Sequence, residues 1–305
     1  MHCGRGDGAV ALTNVSMTIR ADTLFSALCN EASLFYGDSA VNELIEQARA
    51  GEVLFTDTFP FRDDSYYLPV PKMPLDDKVE FDVKNRKAIK ALKWLPATEE
   101  YFSRFAKYIH TGEAFDSTGL SQSFGEFRTD VKAGTIDDKK QPYEVTAFNF
   151  FRGCGLYGVF GYENDGQKAL ISELIKSIGV SGIGGQVSRG FGSYETEIRD
   201  CMDSSAAFLL ENIGRKDRYN LLITTALPKN DEMENALEGA WYEVVRRGGF
   251  SWSAGTGSVK KNNQFFLASG AMLKNTFEGD VFEVGENERH KIYRYSKPVF
   301  LGVEI

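Results

Sequence analysis

The sequence predicts an α+β protein of two domains, each an antiparallel sheet with helices on one face. Three observations predict it. The chain has 305 residues, more than one hydrophobic core ordinarily serves and enough for two domains of roughly 100–200 residues each. Strand-like and helix-like segments run strand, helix, strand, strand, and the outline occurs twice. With 42% hydrophobic and 26% charged residues, there is apolar material for two cores, and the chain as a whole lies outside the disordered range. The expected domains span residues 1–200 and 201–305.

The elements follow in order. Residues 9–23, AVALTNVSMTIRADT, mix alternation with turn. DTLFSALCNEASLFY reads as a helix, with Asp22 or Thr23 as N-cap and Leu24, Leu28 and Phe35 on an apolar face. SAVNELIEQARAG is a second helix, capped by Ser39 and stopped by Gly51. EVLFTDTFPF and SYYLPVPKMPL read as strands, with prolines that suit edges or ends. Residues 76–142 carry many charges and several glycines and read as an insertion on the first domain. Within them RKAIKALKWLPATEEYFSRFAKYIH is helix-like. YEVTAFNFFR is a strand expected to turn through GCG and pair with LYGVFGY as a hairpin. GQKALISELIKSIG is an amphipathic helix, with Leu170, Leu174, Ile175 and Ile178 on one side. SYETEIRD is then a strand. From about residue 218 come a strand (YNLLITTALP), a short helix (DEMENALEG), a strand (AWYEVVRRGGF) and further strands in QFFLASGAMLKNTFEGDVFEV and HKIYRYSKPVFLGVEI.

Charge and cysteine usage exclude several functions. The net charge of −8 argues against non-specific binding to nucleic acid, which needs a basic face. It leaves room for a local basic groove, because the Debye length is only about 8–10 Å. Cys3, Cys29, Cys154 and Cys201 lack metal or redox spacing, and His2, His110 and His290 are scattered. Neither a metal, a cofactor nor a catalytic constellation is expected. Nothing resembles a signal peptide or an 18-residue apolar run, so a reducing cytoplasm with free thiols, and no membrane partner, is the expected setting. The carboxylates in DDKVEFD, at Arg62–Asp64 and at Ile136–Asp138 lack the alternation of a calcium loop and read as solvated turns.

One stretch stands apart: SGIGGQVSRGFGSYE, residues 181–195, with five glycines and one cation, Arg189. A slack linker would be polar throughout, and this segment carries Ile183, Val187, Phe191 and Tyr194. A dinucleotide fingerprint follows a strand and opens a helix, whereas this stretch follows a helix and opens a strand. Two readings remain on the residues alone. One is a tight turn that binds nothing. The other is a cradle for a phosphodiester chain, in which glycines admit backbone N–H groups to phosphates, Arg189 supplies a planar cation, and Phe191 packs beneath or stacks on a base. Arg246 and Arg247, ahead of GGFSWSAGTGS with its Trp252, form either part of a second RNA groove or an exposed turn, and Lys260 and Lys261 add charge nearby. Lys139 and Lys140 read as duplex-phosphate contacts or a plain loop tip.

The glycine loop, IRADTLFSALCNEA near the start, FTDTFPFRDDSYYLPVPKMP, and the closing FEGDVFEV…HKIYRYSKPVFLGV together resemble the RAMP (repeat-associated mysterious protein) superfamily of CRISPR systems. Within it they resemble the subunit-four family of Csm, type III-A, complexes. The resemblance covers nearly the whole chain. It implies two ferredoxin-like (RRM-like) domains, the first bearing the glycine-rich loop and an inserted thumb hairpin at about 76–142. The thumb also draws on VTAFNFFRG.

The resemblance further implies a non-catalytic RNA-binding subunit. It would hold the 5′ tag of CRISPR guide RNA, bridge the large polymerase-like subunit to the backbone RAMP subunits, and touch the guide–target RNA duplex through the thumb. Gly182, Gly184, Gly185, Ser188, Arg189, Gly190, Phe191 and Gly192 match the loop. His2, Gly4 and Arg5 match a turn after the family's first strand, with Cys3 where an aromatic is usual. Arg20, Asp22, Thr23 and Ser26 match the opening of the first helix, and Arg20 and Ser26 are expected at the RNA. The family's first strand has no counterpart ahead of His2, which implies a start assigned too late, a partial gene, or a shortened variant that pairs residues 9–19 differently, and lower stability for the chain alone. Two alternatives stay open: a guide-processing ribonuclease using His2 as general acid/base, and a protein–protein adaptor with incidental RNA contact.

Overall fold

The computed structural model describes residues 1–4, 10–74, 93–98, 124–136, 139–200, 204–253, 257–286 and 290–303. Arg5, His110, Cys201, the DDKVEFD stretch, Asp137 and Asp138 lie outside the described residues, as do most of the helix-like segment 86–110 and the side chains of Lys139, Lys140 and Trp252.

A short helix α1 (Val10–Thr13) precedes α2 (Ala21–Tyr36) and α3 (Asp38–Ala50). Both long helices form where the apolar spacing predicts, but neither starts on the predicted cap. The N-cap of α2 is Arg20, without a side-chain cap bond, and Asp57 does the work from outside, accepting the Ala21 N–H at 2.9 Å. Asp22 is thereby free to sit inside the first turn, where it is buried. The N-cap of α3 is Gly37 rather than Ser39. Gly51 does end α3, left-handed at φ 83°, with its N–H on the Ala48 carbonyl.

Every strand ladder among the described residues is antiparallel. In the first half, β1 (Cys3–Gly4) pairs with β2 (Val15–Ser16), and β3 (Leu54–Phe55) pairs with β10 (Phe160–Gly161). A four-stranded sheet runs β6 (Trp94–Pro96), β5 (Ser65–Pro69), β4 (Phe59–Arg62), β9 (Cys154–Tyr157). Trp94–Pro96 is thus a strand, inside a stretch whose spacing predicted helix.

A long ribbon joins β7 (Gly125–Ile136) to β8 (Lys139–Phe150) in unbroken register, a length of about 40 Å. This overturns the expected hairpin between YEVTAFNFFR and LYGVFGY. Pairing with β7 satisfies all of β8, whereas β9 offers four residues and goes to β4, where Gly155 leaves room for the Phe61 ring.

Helix α4 (Asp165–Ser181) follows as predicted, opened by a capping box between Asn164 and Gln167. SYETEIRD joins no strand ladder; Tyr194 anchors its start, with its N–H on Gly179 and its hydroxyl on Ile175, both carbonyls of α4. Helix α5 (Ser204–Asn212) occupies a stretch to which the sequence reading assigned no element. In the second half β11 (Tyr219–Leu222) lies between β16 (Met272–Leu273) and β19 (Phe300–Val303), with α6 (Met233–Leu237) nearby in sequence. Three ribbons complete it: β12 (Val244–Arg247) with β15 (Gln264–Leu267), β13 (Phe250–Ser253) with β14 (Gly257–Lys260), and β17 (Val281–Glu286) with β18 (Lys291–Tyr295).

Among the described residues, two of three hydrophobic cores cross residue 200. One is built from α2, α3 and α4 through Phe25, Leu28, Leu44, Ile171 and Leu174, and takes in Val281 and Tyr295. The Tyr295 hydroxyl accepts the Phe55 N–H at 2.9 Å. Another joins Phe59 and Leu68 to Leu221, Met272 and Leu301. The third lies within the second half around Leu222, Leu267 and Leu273.

Candidate nucleic-acid interface

The glycine loop is held at both ends. The Ser177 and Ser181 hydroxyls of α4 donate to Glu31 of α2 at 2.5 and 2.7 Å, which fixes the last turn before the loop. Gly182 turns the chain at φ 93°. Ile183 is buried, and its N–H meets the Gly192 carbonyl at 3.0 Å, closing the neck. Between these, Val187–Arg189 makes one 3-10 turn, and Ser188, Arg189 and Gly190 are exposed at the tip.

The amino-terminal residues lie along the inner side of the loop. Gly185 donates its N–H to the His2 carbonyl at 2.8 Å, and His2 bridges to Gly184. A Cβ on Gly184 would stand 2.5 Å from the His2 carbonyl oxygen, and one on Gly185 2.8 Å from the imidazole. The His2 ring is buried, with Nδ1 at 2.6 Å from the Thr146 carbonyl oxygen of β8. Phe191 meets it edge-on at 6.5 Å between centroids. Met1 and Phe148 exchange backbone hydrogen bonds. His2 and Phe191 are therefore packing between the loop and β8, and Gly184 and Gly185 are glycine because His2 is there.

Arg189 reaches outward. Its guanidinium donates to the Tyr143 hydroxyl and, at 2.9 Å, to Gln186, and its central carbon lies 5.5 Å from the Tyr143 ring centroid. Tyr143 is opposite Lys132 in the ribbon, and the two-residue alternation puts Arg128 and Asp130 on the same face. Asp130 contacts both cations, Arg128 at 3.3 Å and Lys132 at 3.9 Å. Tyr143, Lys132 and Arg128 escaped the sequence reading; the register of β7 with β8, once known, aligns them with Arg189.

The start of α2 is a buried charge cluster. Arg247 meets Asp22 with two bonds, Nε at 2.9 Å and Nη2 at 2.8 Å, and Nη2 also donates to Thr23 at 3.0 Å. Arg294, buried, approaches Asp22 at 3.8 Å and donates to the carbonyls of Arg247, Gly248 and Asn262. Burial alone would push the Asp22 carboxyl up. Arg247 above all, then Arg294 and Arg20, outweigh it and hold the group below the usual carboxylate range. Asp57 accepts from the Thr225 N–H and hydroxyl at 3.0 and 2.6 Å, a second tie across the halves.

Arg20 and Ser26 are half-buried at this end of α2. Cys3 links the cluster to the loop. Its sulfur is 3.2 Å from where a Gly184 Cβ would stand, and burial pushes its thiol up to about 11 against the pull of the amino terminus and Arg247. The structure so brings His2, Gly184, Gly185, Phe191, Arg20 and Arg247 to one side, with Gly4 exposed at its edge. It separates the Arg246–Arg247 pair. Arg247 turns inward to Asp22, while Arg246 is exposed on the opposite face of β12, across from an exposed Phe265. Among the described residues no group of three or more His, Cys, Asp or Glu is placed to hold a metal ion, and no helix is long and apolar enough to cross a membrane.

A family model described as the RAMP superfamily matches residues 1–195, and one described as the CRISPR Csm4 C-terminal domain matches residues 215–303. The chain is 28% identical over 302 residues to "CRISPR system Cms protein Csm4" of Mycobacterium tuberculosis, covering 97% of this chain and 93% of that protein. It is 28% identical over 309 residues to the protein of the same name from Streptococcus thermophilus, covering 98% and 95%. Among solved structures it is similar to one of a Csm3–Csm4 subcomplex in the type III-A CRISPR-Cas interference complex, with a TM-score of 0.67 at 18% identity over 94% of each chain. It is also similar to one of a Csm1–Csm4 cassette in complex with cA4, with a TM-score of 0.61 at 20% identity over 95% of this chain and 93% of that one. At such identities the two structures speak for the fold.

Proposed function

This chain belongs to the RAMP superfamily, and on that premise we propose that it is a non-catalytic, cytoplasmic RNA-binding subunit of a type III-A CRISPR interference complex. It holds the 5′ tag of the guide RNA. It bridges the large polymerase-like subunit to the backbone subunits, and its β7–β8 ribbon is the thumb that contacts the guide–target duplex. Its likeness to proteins named Csm4 along nearly its whole length supports this, as do the titles of the similar structures, which pair Csm4 with Csm1 and with Csm3.

The observation that carries the reading is Arg189. In a chain of net charge −8, it stands exposed at the tip of a loop otherwise fixed by packing, directly against Tyr143 on a ribbon face that also bears Lys132 and Arg128. Cations track phosphates and an aromatic ring offers a stacking surface, which is how single-stranded RNA is ordinarily held. His2, the residue a ribonuclease would use, is instead buried with Nδ1 on a backbone carbonyl, which supports the non-catalytic assignment.

The test is binding of a guide RNA carrying its 5′ tag, measured across salt concentrations. The affinity is expected to fall steeply with salt and to weaken about tenfold for Arg189→Ala. Specific cleavage of repeat RNA that His2→Ala abolishes would overturn the assignment in favour of a nuclease. Assembly on guide RNA that is unchanged by Arg189→Ala combined with Arg246→Ala would favour an adaptor.

A further inference from the structure

We infer that the groove between the last turn of α2 and the second half of α4 docks the large subunit of the complex, by taking an amphipathic helix with an apolar ridge and one carboxylate. The inference rests on the multi-subunit reading above and deepens it, giving a place to one of the two protein contacts that a bridging subunit needs.

Exposed apolar surface is the first argument. Leu34, Phe35 and Tyr36 are three consecutive exposed hydrophobic residues in the last turn of α2, and Val180, in the last turn of α4, is 87% exposed. The core does not use them, since Leu28 and Leu174 of the same two helices already fill it. A run of this kind on a surface is either a contact site or an aggregation hazard. Phe35, Tyr36, Leu174 and Val180 line one groove of about 340 Å³, so the residues form a shaped surface rather than a scatter.

Rigidity is the second. Helices α2 and α4 share the core of Phe25, Leu28, Leu174 and Ile178. The Ser177 and Ser181 hydroxyls tie α4 to Glu31 of α2 at 2.5 and 2.7 Å. The walls are therefore fixed before anything binds, and a groove between two packed helices takes the side-chain ridge of a third with little ordering cost.

Charge is the third, and it selects the occupant. Glu173 and Lys176 also line the groove. The Tyr36 hydroxyl is within hydrogen-bond reach of Glu173, whereas Lys176, one turn further along α4, has no hydrogen-bond or ion-pair partner among the described residues. An apolar groove with one unpaired cation at its rim matches an apolar helix that carries a carboxylate. One cation is too few to track a phosphodiester chain, and a net charge of −8 on each copy opposes pairing of the chain with itself.

Position is the fourth. Helix α2 packs on α3, α4 and β18, whereas the β7–β8 ribbon packs on α1 and β2. Groove and ribbon thus belong to different parts of the fold. In the reading above the ribbon and the glycine loop serve the guide RNA and its duplex, and the groove is the surface left for the large subunit.

The experiment titrates the full chain against the purified large subunit, the purified backbone subunit and a tagged guide RNA, each separately. Phe35→Ser combined with Val180→Ser is expected to bind the large subunit about thirtyfold more weakly, with the backbone subunit, the RNA and the melting temperature unaffected. Lys176→Glu is expected to weaken the same contact about tenfold at low salt, with the gap narrowing as salt is added, and Lys176→Arg to keep it. A double variant that binds the large subunit as the wild type does overturns the inference and leaves the multi-subunit reading standing. Loss confined to the backbone subunit, to the RNA or to self-association of the chain overturns it in favour of that occupant. A wild type that binds neither subunit defeats the underlying reading itself.

Discussion

Arg247 closes on both carboxylate oxygens of Asp22, at 2.8 and 2.9 Å, across 225 positions of sequence. Side chains 19% and 5% exposed make this an interior pair, and it clasps α2 to the second half. Removing one partner of a buried pair strands the other charge, at a cost of about 3–5 kcal/mol. Asp22→Asn, which keeps the shape, is expected to lower unfolding stability by about 3 kcal/mol in urea denaturation. Adding Arg247→Met should restore part of that loss; simple additivity of the two substitutions would show that the clasp contributes nothing.

The same carboxylate gives the stability a pH dependence. Its folded value lies below the unfolded value of about 3.9, so folding binds fewer protons than unfolding there. The contribution is fully present above about pH 5 and is lost as pH falls through the folded value. Denaturation midpoints of wild type and Asp22→Asn should therefore converge as pH is lowered below about 4. A constant gap between them would contradict the ion pair.

The loop glycines divide into two kinds. Gly190 has φ 83° and open space around its Cβ position, whereas Gly184 has φ 98° and the His2 carbonyl in the way. Gly190→Ala is expected to cost only the left-handed backbone penalty, about 1 kcal/mol. Gly184→Ala should cost about 3 kcal/mol, because the amino-terminal segment must also move. Equal melting temperatures for the two variants would disprove the packing of His2 against the loop.

Arg189 is exposed, so Arg189→Ala should change stability by no more than about 0.5 kcal/mol while weakening RNA binding. Tyr143→Ala should weaken it by about 1–3 kcal/mol through lost stacking, and Tyr143→Phe by less, since the ring remains. A Tyr143→Phe as weak as Tyr143→Ala would move the role from the ring to the hydroxyl.

The helices were legible because Leu28, Leu174 and Ile178 repeat at helical spacing and are buried as that spacing requires, whereas Phe35, read on the same apolar face as Leu28, is exposed one residue from the end of α2. Gly51 ended its helix as a left-handed glycine should. Strand pairing was not legible, because alternation in YEVTAFNFFR marks a strand without naming its partner, and β7 lay in a stretch read as an insertion. The cap of α2 failed for a related reason: Asp57, 36 positions from Ala21, replaced the local residues, and no local pattern announces a distant carboxylate. At the site, the glycine loop was legible as a feature, but the roles of its members were not. Phe191 and His2 proved to be packing partners, and Arg247 an internal ion-pair residue, because each finds its neighbour across more than 100 positions. Tyr143 became visible only with the ribbon register.

The most direct measurement is photocrosslinking of the assembled chain to a guide RNA carrying 4-thiouridine through its 5′ tag, with crosslinked peptides mapped by mass spectrometry. Crosslinks concentrated at residues 182–192, on the Tyr143 face of the ribbon and at the start of α2 are the predicted result. An RNA that assembles normally yet crosslinks only outside these segments would contradict the account.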